Sequence, residues 1–308
     1  MNDQSPRRYQ GSLLERAAAL QFAPPEPVPT IETEVAAPVV PVPDVPAAKP
    51  AEPTLRRAAG RRSARIDRQL LVDAGMIVPG SAITALAEEF RMVKRQLLLT
   101  ARAVAAKETV QAADKARMIL VCSAQADEGK TFCAINLALS MAAEKDVEIL
   151  LVDADFAKPD ILERLGLPQG PGLLDALSGS VANVEDCIVD TDVPQLSVLS
   201  AGTKTNNDTE LLASDRARAV IDGLAQANPR RIVIFDSPPA LAASPASVLA
   251  LHVGQAMLVV RADQTSESDL REAVSTLDGC EHIQLVLNAV SFQPGGRRFG
   301  TYYGEAGK

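Results

Sequence analysis

The sequence predicts an α/β protein: a mostly parallel sheet covered by helices on both faces, in three layers. Three observations predict it. Short apolar runs alternate with helical segments from residue 118 onward. Two of these runs end in acid, Ile149-Leu150-Leu151-Val152 before Asp153 and Ile232-Val233-Ile234-Phe235 before Asp236. A third run, 118–122, passes through a loop into Gly129-Lys130-Thr131 and a helical pattern. Apolar strands separated by helices pair in parallel with both faces buried. Ligands then gather at the carboxyl ends of the strands.

Composition sets the outer limits. The chain has 308 residues, is 47% hydrophobic and only 3% aromatic, and lacks Trp, so its core must be aliphatic. A net charge of −8 gives no reason to expect nucleic acid as a partner. Cys122, Cys133, Cys187 and Cys280 are widely spaced in apolar surroundings, which predicts reduced, buried thiols rather than disulfides or a metal site. No apolar run approaches the ~18 residues of a membrane span. The N-terminus lacks the apolar core of a signal peptide. A cytoplasmic protein is expected, brought to a membrane only by another protein.

Taken in order, residues 1–22 hold a short helical segment. Ser12 and Glu15 have capping-box spacing, and Leu13, Leu14, Ala17, Ala18 and Leu20 form an apolar side. It is either a frayed terminus or a docking peptide. Residues 23–53 are a Pro/Ala-rich linker, expected to be disordered, extended and semi-rigid. Residues 54–107 form a helical N-terminal part. It opens with Arg56, Arg57, Arg61, Arg62, Arg65 and Arg68, a basic cluster suited to anionic lipid, an acidic partner or plain solvent. From Ser81 to about Lys107, Ile83, Leu86, Phe90, Val93 and Leu97 recur at helical spacing. Glu88, Arg91 and Lys94 lie three apart and are expected to share a polar face. Residues 108–292 make the nucleotide-binding domain. Its later strands are expected at 147–152, 196–200, 231–235, 255–261 and 283–288, and its helices at 130–144, 208–227, 244–252 and 266–277. Residues 293–308 are a tail that its glycines should keep mobile.

The chemistry is concentrated at the strand ends. A loop ending in Gly-Lys-Thr between strand and helix is a phosphate cradle, with backbone N–H groups and the positive end of the helix dipole facing the anion. Lys130 can reach the β- and γ-phosphates, and the Thr131 hydroxyl can bind Mg²⁺. The strict pattern has Gly where this chain has Ala124. With the alternating strands, this predicts a three-layer P-loop NTPase fold binding ATP and Mg²⁺. Asp153, Asp155 and Asp236 fall on the same sheet edge, so with Thr131 they supply the few oxygen donors Mg²⁺ prefers. Either Asp153 or Asp155 could orient or deprotonate an attacking hydroxyl. Asp153 is the favoured base, with Asp155 and Asp236 at the metal. Lys158 either reaches phosphate or is solvated. For an acceptor, water would make an ATPase switch. The tail offers Tyr302 and Tyr303, two of only three tyrosines.

These residues resemble the bacterial tyrosine autokinases of exopolysaccharide biosynthesis, and more narrowly those of exosortase (PEP-CTERM) loci. The resemblance covers about residues 66–303. It rests on 128–131, 150–155, Gly170-Pro-Gly-Leu-Leu-Asp175, Thr209-Glu-Leu-Leu-Ala-Ser214, 232–239 and the tyrosine tail. It implies that Asp127, Glu128, Gly129, Lys130, Thr131 and Phe132 hold ATP, with Asn288 near the adenine. It implies catalysis by Lys130, Asp153 and Asp155, and a metal group of Thr131, Asp153, Asp155 and Asp236. It implies phosphorylation of Tyr302 and Tyr303 by a neighbouring protomer, in a protein that regulates exopolysaccharide polymerisation and export. Glu88, Arg91 and Lys94 resemble the family's E-x-x-R-x-x-R oligomerisation motif, with Lys in the last place. Implied partners are further copies of the chain in a ring, a separate transmembrane co-polymerase as activator and a protein-tyrosine phosphatase, with peripheral attachment to the inner membrane. Relatives usually have Pro-Gly where this chain has Ala126-Asp127, and often Arg where it has Ala157. The rival readings are a partition- or positioning-type P-loop ATPase, against which Gln125 stands in place of that class's extra Lys, and a nucleotide-switched scaffold without kinase activity.

Overall fold

The structure, a computed structural model, describes residues 61–290. The predicted helix at 12–22, the 23–53 linker, Arg56, Arg57, and the tail with Tyr302 and Tyr303 lie outside the described residues. The strands are β1 (Arg62–Ala64), β2 (Met118–Ser123), β3 (Glu148–Asp153), β4 (Val189–Thr191), β5 (Leu196–Leu199), β6 (Arg231–Asp236), β7 (Gln255–Arg261) and β8 (His282–Asn288). They form one sheet in the order β1-β4-β5-β3-β6-β2-β7-β8, and every pairing is parallel except β4 with β5. The helices are α1 (Arg68–Asp73), α2 (Ala85–Lys107), α3 (Val110–Ala116), α4 (Lys130–Met141), α5 (Ile161–Leu165), α6 (Leu173–Ser178), α7 (Asp208–Leu212), α8 (Asp215–Gln226), α9 (Pro245–Ala250) and α10 (Glu267–Thr276).

The three layers follow from the apolar strands. Alternate β2 residues feed opposite cores: Met118, Leu120 and Cys122 face α6 to α10, whereas Ile119 and Val121 face α1, α2, α4 and α5. All four cysteines are buried free thiols, and burial raises their pKa values, that of Cys133 to about 12.

Several boundaries differ from expectation, for local reasons. The helix expected at 208–227 is two. Ser214 donates to the Leu211 carbonyl at 2.6 Å and accepts from the Ala217 N–H at 3.1 Å, ending one helix while capping the next. α2 starts at Ala85 rather than Ser81, because the Thr84 hydroxyl accepts from Ala87 N–H at 3.2 Å. Residues on both sides of 107/108 share one sheet and one core. β1 joins the sheet beside β4, and Ile66, Leu71, Phe90 and Leu97 lie in the same core as α4. Asn136, buried inside α4, accepts from Ile77 N–H at 2.7 Å and fixes this N-terminal wrap.

The arginine cluster is also reassigned. Arg61 is buried against Glu185, Asp190 and Glu148. Arg62 donates to the carbonyls of Gln169, Pro171 and Cys187, and Arg68 pairs with Asp192 at 3.0 Å. Of the described members only Arg65 is exposed with no ion pair or hydrogen bond, so Arg61, Arg62 and Arg68 tie the chain together rather than forming a basic face.

Candidate functional site

The site is set by strand register. Asp153 at the end of β3 stands opposite Asp236 at the end of β6, and Asp236 stands opposite Val121 just before the β2 loop. On the other flank, Arg261 ends β7 opposite Asn288, which ends β8. Five adjacent parallel strands, β3-β6-β2-β7-β8, thus deliver every predicted active-edge residue of the described chain to one side of the sheet.

The loop from Ser123 to Lys130 is held from below and from the side. Ala240 N–H donates to the Ser123 carbonyl at 2.8 Å and Leu241 N–H to the Ala124 carbonyl at 3.2 Å. Ala124 is buried and does not have a positive φ, so no backbone requirement for Gly exists there. Gly129 does need to be Gly. Its φ is +92°, and an added Cβ would lie 2.1 Å from Asn288 Nδ2. It begins α4, whose first-turn amides point out of the helix N-terminus as an anion cradle requires.

Asp127, unexplained by its sequence neighbours, has a conformational reason. Its φ is +62°, the left-handed region that Asp tolerates better than most residues. Its side chain is exposed, and its backbone carbonyl accepts from Arg261 Nη1 at 2.8 Å. Glu128 is buried and serves the loop itself. One carboxylate oxygen accepts from Gln125 N–H at 2.9 Å, the other from the Thr265 hydroxyl, and its backbone carbonyl accepts from Asn288 Nδ2 at 2.9 Å. Arg261, Thr265 and Asn288 therefore clamp the loop from the ends of β7 and β8. The first two carried no motif that sequence reasoning could use. Phe132 is half-buried and packs on the α2 side of the core.

The charged groups fall into two states. Lys130 Nζ pairs with Asp155 Oδ2 at 2.7 Å, and its pKa is raised because Asp236 and Asp155 outweigh the cost of burial. The other Asp155 oxygen accepts from Lys158 N–H at 3.1 Å, while the Lys158 side chain is exposed. Asp153 accepts from Ile161 N–H at 3.1 Å and Asp155 N–H at 3.3 Å. Burial and the charge of Asp236 nevertheless push it up to about 8. Asp236 is pushed up to about 7, by burial above all, against the pull of Lys130 and the nearby Thr131 hydroxyl. Neither of its oxygens completes a hydrogen bond. A buried carboxylate left orphaned is costly, and it fits a cation bound among these oxygens. Among the described residues no three acidic, His or Cys side chains converge enough to hold an ion unaided.

Lys94 departs from its expected place. Glu88 and Arg91 do pair on the surface of α2, but Lys94 turns inward. It is 8% exposed and donates to the Ser140 carbonyl at 2.9 Å, with Glu144 at 2.7 Å. Its ammonium thus caps the carboxyl end of α4 instead of completing a polar stripe. The Gly170–Asp175 match also has a physical basis. Asp175 accepts from Gly172 N–H at 2.8 Å and Thr203 N–H at 3.0 Å, and a Cβ on Gly172 would meet the Ser200 carbonyl at 2.1 Å.

No protein-family profile matches the chain. It is 31% identical over 180 residues to the putative tyrosine-protein kinase EpsB of Ralstonia nicotianae, covering 58% of this chain and 23% of that protein. It is 25% identical to the putative tyrosine-protein kinase CapB of Staphylococcus aureus over 72% of this chain and 92% of CapB. Among solved structures, the VpsO kinase domain is 32% identical with a TM-score of 0.52, over 64% of this chain and 97% of that domain. The chain spans under a quarter of the length of the curated relatives it matches first. By these likenesses the chain belongs to the family of bacterial tyrosine-protein kinases.

Proposed function

We propose that the chain is an ATP-dependent protein-tyrosine kinase that phosphorylates Tyr302 and Tyr303 of a neighbouring copy. The observation that carries this reading is the register of Asp153 against Asp236 beside the Lys130–Thr131 loop. Phosphoryl transfer needs positioning and charge neutralisation more than covalent chemistry. Mg-ATP supplies the phosphoryl group and a cation to neutralise it, with Thr131, Asp236 and Asp155 as the protein donors. The chain's own residues do the rest. Lys130 is held protonated and aimed along the loop by Asp155, ready to exchange that partner for phosphate oxygens. Asp153, with its pKa near 8, is a better match for a phenol proton than an ordinary carboxylate, and its two backbone amides hold the carboxylate in place. Asn288 and Arg261 hold the loop through the carbonyls of Glu128 and Asp127.

In this reading, activity regulates exopolysaccharide polymerisation and export, a role supported by the name EpsB and by the motifs of the sequence. The partners are other copies in a ring-type oligomer assembled through Glu88 and Arg91, a transmembrane co-polymerase that holds the kinase at the inner membrane, and a protein-tyrosine phosphatase. Among the described residues no helix is long and apolar enough to cross a membrane, which is compatible with attachment through a partner. The names of the relatives do not favour a partition-type ATPase.

The test is incubation of purified full chain with Mg-ATP, read by phosphotyrosine blotting, beside Lys130→Met and the Tyr302→Phe/Tyr303→Phe double variant. Labelling should appear in the wild type and fall about a hundredfold or more in Lys130→Met. It should vanish from the tail in the double variant. ATP hydrolysis without tail labelling, even with the co-polymerase's cytosolic segment added, would defeat the kinase reading.

A further inference from the structure

We propose that the chain's own C-terminal segment docks on β8 as an antiparallel ninth strand, parking Tyr302 and Tyr303 away from the phosphate loop in the resting state. The parking rests on the kinase reading above; the docking does not. β8 ends the strand order and, among the described residues, pairs only with β7. Along it and just past it, Leu285, Leu287 and Val290 are 54%, 66% and 45% exposed. An open sheet edge carrying large apolar side chains invites pairing, and proteins cover such edges or charge them. Here no charged side chain interrupts the seven residues His282–Asn288.

The occupant is the segment that follows. The chain leaves β8 at Asn288 and bends at Ala289, whose φ is +54°. Residues 291–308 follow. Within them Pro294-Gly295-Gly296 is a turn signal. After it comes Arg297-Arg298-Phe299-Gly300-Thr301-Tyr302-Tyr303, as long as β8 and rich in strand formers. An antiparallel register with Phe299 opposite Leu287 also sets Thr301 opposite Leu285 and Tyr303 opposite Ile283. That places aromatic and β-branched side chains against the exposed aliphatic row. Such a strand runs from the Asn288 end toward His282. It carries the tyrosines down the sheet by about 13 to 17 Å, at ~3.3 Å per residue, away from the edge that holds Lys130. Release from β8 would then precede presentation of the phenols to a neighbouring site.

The experiment is amide hydrogen exchange on the full chain at two protein concentrations, comparing wild type with Thr301→Pro and Leu287→Lys. Proline removes a ladder donor from the proposed strand, and Leu287 is exposed, so its replacement does not disturb the core. The β8 amides that are not bonded to β7 should exchange about tenfold faster in both variants than in wild type, and wild-type protection should not depend on concentration. Equal exchange in all three proteins overturns the docking. Protection that disappears on dilution overturns it in favour of a tail from a second copy. Phosphotyrosine blotting of the same samples with Mg-ATP and the co-polymerase's cytosolic segment separates the two readings: protected β8 with no labelling in wild type or in Leu287→Lys, whose tail is released, keeps the docking and sinks the kinase, and labelling with unprotected β8 does the reverse.

Discussion

The two ends of β3 and β6 carry the same kinds of residues and treat them in opposite ways. At their start, Arg231 of β6 pairs with Glu185 at 2.5 Å and approaches Glu148 of β3 at 3.5 Å, and Arg61 joins the same acids. Asn228 adds a hydrogen bond to Glu148 at 2.5 Å. Only the Nε atoms of the two arginines lack a partner. At their far end the same strands bring two aspartates face to face, with one lysine already engaged elsewhere and Asp236 unsatisfied. One end is a closed network that fixes the wrap of residues 61–107. The other withholds compensation, and it is on that deficit that the proposed Mg-ATP site rests.

That contrast can be broken from either side. The largest effect is expected from Arg231→Met. Removing the centre of a buried network leaves Glu185 and Glu148 without their main cation, at a cost of about 3–5 kcal/mol by urea denaturation. A loss below about 1 kcal/mol would mean that water reaches this end freely. Asp236→Asn should act in the opposite direction. A carboxyl whose folded pKa is raised contributes stability that is complete below its unfolded value, and loses it as pH rises through the folded pKa. Asp236 sits at about 7 when folded, against 3.8. Nucleotide-free wild type and Asp236→Asn should therefore match near pH 4, and the variant should be more stable by about 4 kcal/mol at pH 8. It should also lose tyrosine labelling. A variant less stable than wild type at pH 8 would show that Asp236 is already satisfied without a ligand.

Lys94→Ala tests an intermediate case, a charge that belongs to neither end. It strips the cap from the α4 carboxyl terminus and should cost about 1–3 kcal/mol in a thermal or urea melt. If Lys94 instead served only contacts between copies, the melt at low concentration would not move. Glu88→Ala is the smallest. Its exposed pair with Arg91 should add only a few tenths of a kcal/mol to the melt, while the sedimentation profile reports whether assembly needs it.

Much of the active edge was legible because its signals are local. Apolar runs ending in Asp153 and Asp236, and the Gly129-Lys130-Thr131 turn, declare strand ends and a helix start in sequence alone. β1 and β4 were not legible, since Arg-Ser-Ala and Val-Asp-Thr are too short to show a period. Nor were α1, α3, α5 and α6, each seven residues or fewer. Lys94 was misread because its partners, Ser140 and Glu144, lie far away in sequence, and spacing along one helix cannot report them. Arg261 and Thr265 escaped for the same reason. They act on a loop more than a hundred residues upstream, one through a backbone carbonyl and the other through the buried Glu128 side chain.

The four buried cysteines have a practical corollary. Thiolate is the reactive form, and burial holds every one of these thiols above its ordinary pKa. The folded chain should be chemically silent toward maleimides and mild oxidants near neutral pH. A single cysteine introduced on its surface or beside Tyr303 would be the sole fast-reacting thiol, so a fluorophore or spin label can be attached to the native sequence without first replacing anything in its core.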